Sequence, residues 1–187
     1  GSWPLNDYPM RGPVGEESIT VMNDKERSAT YARIRAEHGS GIARLVRGYA
    51  SRREDQEDLL QEIALALWRA LPGFRGACSE RTFVYRIAHN RCVDRVIRRR
   101  PLNRADIEPR ELACPAPNAE AALMASTRRQ RLTEAIQQLP LPQRQVLLLA
   151  LEEMSHAEIA DVVGITPNNV AVRLTRARKA LRNVLTR

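Results

Sequence analysis

The stretch SHAEIADVVGITPNNVAVRLTRARKALRNVL, residues 155–185, leaves this chain little choice but to form two short helices joined by a tight turn. Ser155 and Glu158 have the spacing of a capping box, in which each side chain satisfies an orphaned N–H of the first helical turn. Gly164 supplies the stop. Thr166 can cap a second helix, and Pro167 falls at its first position, where a missing N–H costs nothing and a fixed φ already suits the helix. Val170, Leu174, Ala177 and Leu181 then recur at helical spacing and form an apolar arc that should pack on Ile159, Ala160 and Val163. The pair has the form of a helix-turn-helix. Its outer face carries Asn168, Asn169, Val172, Arg173, Thr175 and Arg176, followed by Lys179 and Arg182, and no acid occurs after Asp161. Such a face suits the major groove of DNA, because Asn pairs bidentately with adenine, Arg with guanine, and Val172 can meet a thymine methyl. An ordinary helical hairpin with a solvated basic surface is the alternative. The coincidence of caps, glycine turn, proline start and acid-free outer face favours DNA.

The rest of the chain is compatible with helical architecture throughout. Hydrophobic residues make up 43% of the 187 positions but aromatics only 4%, a balance that fits bundles of Leu, Ile, Val and Ala better than a sheet. The length allows one medium domain or two small ones. A net charge of +8 favours a polyanionic partner. Cys78, Cys92 and Cys114 are odd in number and unpaired in spacing, which suits free thiols in a reducing cytoplasm. His38, His89 and His156 are scattered, so no zinc site or other metal is expected, and no cofactor motif occurs. No apolar run is long enough to span a bilayer, and membrane insertion is not expected.

Composition shifts divide the chain. Residues 1–23 mix prolines and glycines with few apolar positions and read as an irregular extension, with Gly1 and Ser2 as a cloning remnant. A helical pattern begins near Asp24, is interrupted at Gly39 and Gly41, and resumes through Ile42, Leu45, Val46 and Tyr49. Asp55 to Leu71 is the clearest helix of the first half, with Leu59, Leu60, Ile63, Leu67 and Leu71 on one face. A further helix spans about Ser79 to Arg100. Residues 101–117 hold Pro101, Pro109, Pro115 and Pro117 without periodicity and read as a flexible linker. Helices at about Asn118 to Leu139 and Pro142 to Glu153 precede the helix-turn-helix. The expected fold is therefore all-α, with helical domains at 24–100 and 118–187.

The first domain presents two surfaces of opposite sign. Glu54, Asp55, Glu57, Asp58 and Glu62 crowd the start of one helix, where the macrodipole favours negative charge. Asp58, Gln61 and Leu65 lie opposite the core stripe, and an exposed Leu among acids suggests a protein docking surface. The next helix carries Arg81, Arg86, His89, Arg91, Arg95, Arg98, Arg99 and Arg100, with Phe83 and Tyr85 among them. Cations for phosphate and rings for unstacked bases suit a single nucleic-acid strand, although a core position is the plainer fate for at least one ring.

DLLQEIALALWRALPGFRG, then RTFVYRIAHNRCVDRVIRRR, a linker, and LPLPQRQVLLLALEEMSHAEIADVVGITPNNVAVRLTRARKAL resemble a bacterial extracytoplasmic-function sigma factor over about residues 25–187. The resemblance implies a non-enzymatic transcription initiation factor with two domains, regions 2 and 4. Region 2 docks on the coiled coil of the largest subunit of core RNA polymerase and melts the -10 element of promoter DNA. Region 4 reads the -35 element beside the polymerase flap. By motif position, Asp58, Gln61, Glu62 and the neighbouring Leu65 fall at the polymerase contact. The loop Gly76, Ala77, Cys78, Ser79 and Glu80 falls where a base of the -10 strand is captured, with Phe83, Tyr85, Arg86, Asn90 and Asp94 close by on the helix that follows. Asn168, Asn169, Val172, Arg173, Thr175, Arg176 and Lys179 fall at the -35 duplex. The chain has Ser-Glu-Arg-Thr-Phe-Val where family members often have Ser-Phe-Arg-Thr-Trp-Leu. The resemblance also implies an inhibitory anti-sigma factor and a cytoplasmic protein, which a membrane-bound anti-sigma factor can hold at the membrane. A helix-turn-helix repressor or activator that is no polymerase subunit, and a basic protein for single-stranded RNA, are the alternative readings.

Overall fold

The structure, a computed structural model, describes residues 23–99 and 119–185, with side chains at 23–98 and 128–185. The expected linker at 101–117, and residues 1–22 of the expected extension, lie outside the described residues. Among the described residues seven α-helices follow one another, α1 (Asp24–Arg47), α2 (Arg53–Ala70), α3 (Glu80–Arg99), α4 (Ala119–Gln138), α5 (Leu141–Leu151), α6 (His156–Val163) and α7 (Pro167–Leu185). A single 3-10 turn, Leu71–Gly73, extends α2, and the described residues contain no strand. The all-α class is as the sequence indicates.

Helix α1 begins on a capping box: the Asn23 side chain accepts from the Glu26 N–H at 2.8 Å, and Glu26 accepts from the Asn23 N–H at 3.2 Å. It does not break at Gly39 and Gly41, as the glycines suggest, but runs unbroken for 24 residues. A helical glycine costs only about 1 kcal/mol relative to alanine, and the packing of Ile34, Ile42, Leu45 and Val46 on either side outweighs that. Leu59, Ile63, Leu67 and Leu71 form the buried stripe of α2, while Leu60 is only half-buried. Arg27 ties α1 to the end of α2, donating to the Trp68 carbonyl from Nε at 2.9 Å with its guanidinium 4.2 Å above the indole. Tyr31 meets the same indole edge-on at 5.6 Å. Val84, Ala88 and Cys92 of α3 close this first bundle, and burial pushes the Cys92 thiol well above the ordinary range.

In the second bundle the Ser155–Glu158 capping box is present, and Gly164 ends α6 in the left-handed region at φ 73°. The Thr166 hydroxyl accepts from the Asn169 N–H at 3.3 Å and so caps α7. Val170, Leu174 and Ala177 are buried, and Leu181 lies half-buried on the same face. Val146, Leu147, Leu148 and Leu149 of α5 are all buried although they point in four directions. A helix apolar all round needs neighbours on every side.

Those neighbours come partly from the first bundle. Instead of two lobes left unaligned by a linker, α3 of the first bundle packs against α6 of the second, and one buried cluster runs from Ile34 to Ala177. Linker composition at 101–117 says nothing about whether the domains it joins have complementary faces, and α3 and α6 do.

Candidate nucleic-acid interface

The clearest candidate surface is the outer face of α7. Asn168, Asn169, Val172, Thr175, Arg176 and Lys179 are exposed, and Arg173 is half-buried. Val172, 41% exposed, is an apolar point among polar neighbours, a suitable partner for a thymine methyl. The Thr175 hydroxyl donates back to the Ala171 carbonyl at 3.0 Å, so it turns toward its own helix rather than outward. Arg173, Arg176 and Lys179 are therefore the cations presented along this face.

On α2 a buried acid, Asp55, and two exposed ones, Asp58 and Glu62, are organised by a residue of the next helix. Arg95, its side chain only 16% exposed, lies 3.1 Å from Asp55, 3.5 Å from Asp58 and 3.2 Å from Glu62. Sequence reasoning grouped Arg95 with the phosphate-binding cations, and the structure turns it to the acids instead. The charge complementarity of α2 and α3 was the available signal, but only packing shows which cation lies against which acid. Gln61 and Leu65 remain exposed, Leu65 by 55%. An uncovered leucine beside carboxylates held in a fixed array has the character of a protein contact.

The third surface is the Gly76–Glu80 loop with α3. Gly76 adopts φ 71°, where a side chain is strained, and nothing lies within 4 Å of where its Cβ would be. Gly76, Ala77 and Ser79 are exposed, and Cys78 is half-buried against the core. Ser79 caps α3, its hydroxyl accepting from the Thr82 N–H at 3.1 Å. Glu80 is gripped by Arg33 through both oxygens, at 2.8 and 2.5 Å, which holds its carboxyl below the usual range. Glu37, His38 and Glu80 bring ligand atoms within 4.8 Å of one another, but the Arg33 guanidinium occupies both Glu80 oxygens and repels a cation there. These residues do not fit a metal.

Two expected base contacts face inward in this structure. Phe83 is buried against Phe74, their ring centroids 4.5 Å apart. Tyr85 is 3% exposed and donates from its hydroxyl to Glu152 at 3.1 Å. Burial, then the Glu152 charge, pushes the phenol up to about 12. Apolar area gained from burying a ring exceeds what a solvent-facing ring contributes, so a helix with two apolar faces turns its aromatics inward. Asn90 is exposed, Arg86 and Asp94 are half-buried, and His89 is buried. Desolvation takes the His89 imidazole down to about 4, only partly opposed by a 3.4 Å contact with the Asn90 side chain. Among the described residues no helix is long and apolar enough to cross a membrane.

This arrangement matches known proteins over both bundles. The family description Sigma-70 region 2 covers residues 34–101, and Sigma-70, region 4 covers residues 129–181. The RNA polymerase sigma factor NccH of Alcaligenes xylosoxydans xylosoxydans is 26% identical over 94% of this chain and 97% of its own length. The ECF RNA polymerase sigma factor SigM of Mycobacterium tuberculosis is 30% identical over 79% of this chain and 73% of its own. The solved structure of CnrH in complex with the cytosolic domain of CnrY is similar with a TM-score of 0.64, at 26% identity over 85% of this chain and 89% of CnrH. With both regions present in order and these relatives matched over most of their length, the chain belongs to the ECF sigma factors of RNA polymerase.

Proposed function

We propose that this chain confers promoter specificity on core RNA polymerase, with residues 24–100 as the docking and strand-opening domain and 118–187 as the duplex-reading domain. The observation that carries the reading is a division of charge within one chain. An acidic helix with an uncovered Leu65 faces one partner, and the basic, acid-free face of α7 suits another. Asp58, Gln61, Glu62 and Leu65 meet the polymerase coiled coil. The loop Gly76 to Glu80, with Arg86, Asn90 and Asp94, lies along the -10 strand. Asn168, Asn169, Val172, Arg173, Arg176 and Lys179 meet the -35 duplex, with Thr175 beside them. The chain works as an initiation factor rather than a catalyst, in the cytoplasm, under an anti-sigma factor. The CnrH complex with CnrY supports the last point by family likeness.

Strand opening requires a groove for single strands and a large partner, whereas duplex reading requires a rigid helix in the major groove. Each contact is small alone, and polymerase makes their affinities multiply by fixing the spacing. Run-off transcription with core polymerase on a promoter library tests the reading: defined start sites are expected, and their absence overturns it. Asp58→Lys with Glu62→Lys abolishes polymerase binding at unchanged helicity. Because that pair also loses Arg95, Leu65→Asp provides a second variant that leaves the α2–α3 ion pairs intact and should abolish binding equally. A gel shift with and without polymerase separates this reading from an autonomous repressor, which binds its duplex tightly without polymerase.

A further inference from the structure

Glu80 carries a charge opposed to the role of its surroundings. It opens α3 at the close of the Gly76–Glu80 loop, on a surface suited to a polyanion, and it stands where family members often have Phe. The helix macrodipole favours an acid at this position but does not fix its side chain. Arg33 does. This exposed residue of α1 donates from Nη1 to one Glu80 oxygen at 2.8 Å and from Nη2 to the other at 2.5 Å. Glu37, one turn further along α1, lies 3.6 Å from the same guanidinium, and Nε2 of the buried His38 stands 3.9 Å from Glu80 Oε1, too far for a hydrogen bond. A bidentate Arg–carboxylate pair fixes the plane of the carboxylate as well as its place. Each oxygen has two lone pairs, so one remains on each after Arg33 has donated. The Glu80 side chain is 24% exposed, which lets a further donor reach it. The loop is anchored at both ends, by Phe74 against Phe83 and by Ser79 capping α3, while Gly76 and Ala77 at its tip are exposed.

We propose that Arg33 and Glu80 form a base-reading pair, in which Arg33 aims the Glu80 carboxylate at the Watson–Crick edge of one unstacked promoter base and so selects against thymine. The proposal deepens the strand-opening role given above and rests on it. Its basis is the donor pattern of the bases. An ionised carboxylate only accepts hydrogen bonds, and adenine, cytosine and guanine each offer it an exocyclic amino group. Thymine offers a single ring N–H flanked by two carbonyl oxygens, whose negative ends face the carboxylate. An aromatic ring in the place of Glu80 would stack on any base alike. Arg33 also cancels the charge with which Glu80 would repel the phosphates of the strand. It is a positioning residue that acts through Glu80, on a helix given no other part in strand opening.

Initiation by the full chain with core polymerase tests this, on a promoter library randomised across the -10 segment and read by sequencing the transcripts. Wild type should show a position at which thymine is under-represented about tenfold, the discrimination of one good base contact. Glu80→Met should bring thymine level with the other bases there. Arg33→Met, which keeps the carboxylate but leaves it unaimed, should lose most of the discrimination. Arg33→Glu with Glu80→Arg rebuilds the pair with its polarity reversed. A guanidinium only donates, so thymine, with its two carbonyl oxygens, should become enriched at that position. A pair that merely braced the loop would change initiation on all sequences alike and would invert no preference. Association with core polymerase, assigned to α2, should be equal in wild type and every variant, which separates a folding defect from a reading defect. Wild-type initiation with no thymine-depleted position overturns the proposal and leaves the initiation-factor reading standing. So does depletion that survives Glu80→Met or Arg33→Met, or a swap that fails to raise thymine. If wild type initiates at no defined sequence, the initiation-factor reading falls, and the base-reading pair falls with it.

Discussion

Acidification should weaken this fold well before its carboxylates titrate, and the cause is His89. Its imidazole is buried on α3, and desolvation lowers its pKa from 6.5 to about 4 in the folded protein. The unfolded chain therefore binds a proton near pH 6.5 that the folded chain refuses until about pH 4, so unfolding takes up a proton throughout that window. Stability is complete above the unfolded value and falls with decreasing pH at about 1.4 kcal/mol per unit. Between pH 7 and pH 5 the loss from this one group integrates to about 2 kcal/mol, or a shift of about 1 M in a urea midpoint. Urea titrations followed by circular dichroism at several pH values in that window, on wild type and His89→Leu, measure it. The variant should lose the extra slope while keeping whatever other groups contribute. Parallel pH dependences in the two proteins would refute the reasoning, because no other change distinguishes them.

Truncating Leu59, fully buried in the α2 stripe, to Ala should cost about 2–5 kcal/mol, read as a lowered urea midpoint at unchanged slope. Ser155→Ala removes the cap of α6 and should cost about 1 kcal/mol in thermal or urea unfolding, whereas Ser155→Asp should retain most of it. On a -35 duplex presented in the polymerase complex, Arg176→Ala should cost about 1–3 kcal/mol of affinity. Thr175→Val should cost much less, since the hydroxyl it removes is already bonded to Ala171. Lys179→Ala should weaken all sequences alike and reduce the salt slope by about 1 in a competition assay.

Local signals proved sufficient wherever a helix answers to its own residues. The capping box at Ser155 and Glu158, the left-handed Gly164, the Pro167 start and the Leu59–Ile63–Leu67 stripe are all written within a few positions of the groups they govern, and each occurs as its spacing indicates. The outer face of α7 was legible for the same reason: with Val170, Leu174 and Ala177 inside, Asn168, Val172 and Arg176 have to lie outside. Gly39 and Gly41 misled because propensity is a weak prior, and packing on both sides carries α1 through them.

What the chain determined alone, then, is its helices, their caps, the solvent-facing side of α7 and the opposite charges of the α2 and α7 surfaces. Tertiary structure decided the rest: that Arg95 faces acids rather than phosphate, that Phe83 and Tyr85 turn inward, and that Glu152 meets Arg44 across 108 positions of sequence. Those outcomes depend on which side chains face each other between helices distant in the chain. Periodicity specifies the face of a helix, but the neighbour that covers it is chosen by shape and charge complementarity in three dimensions.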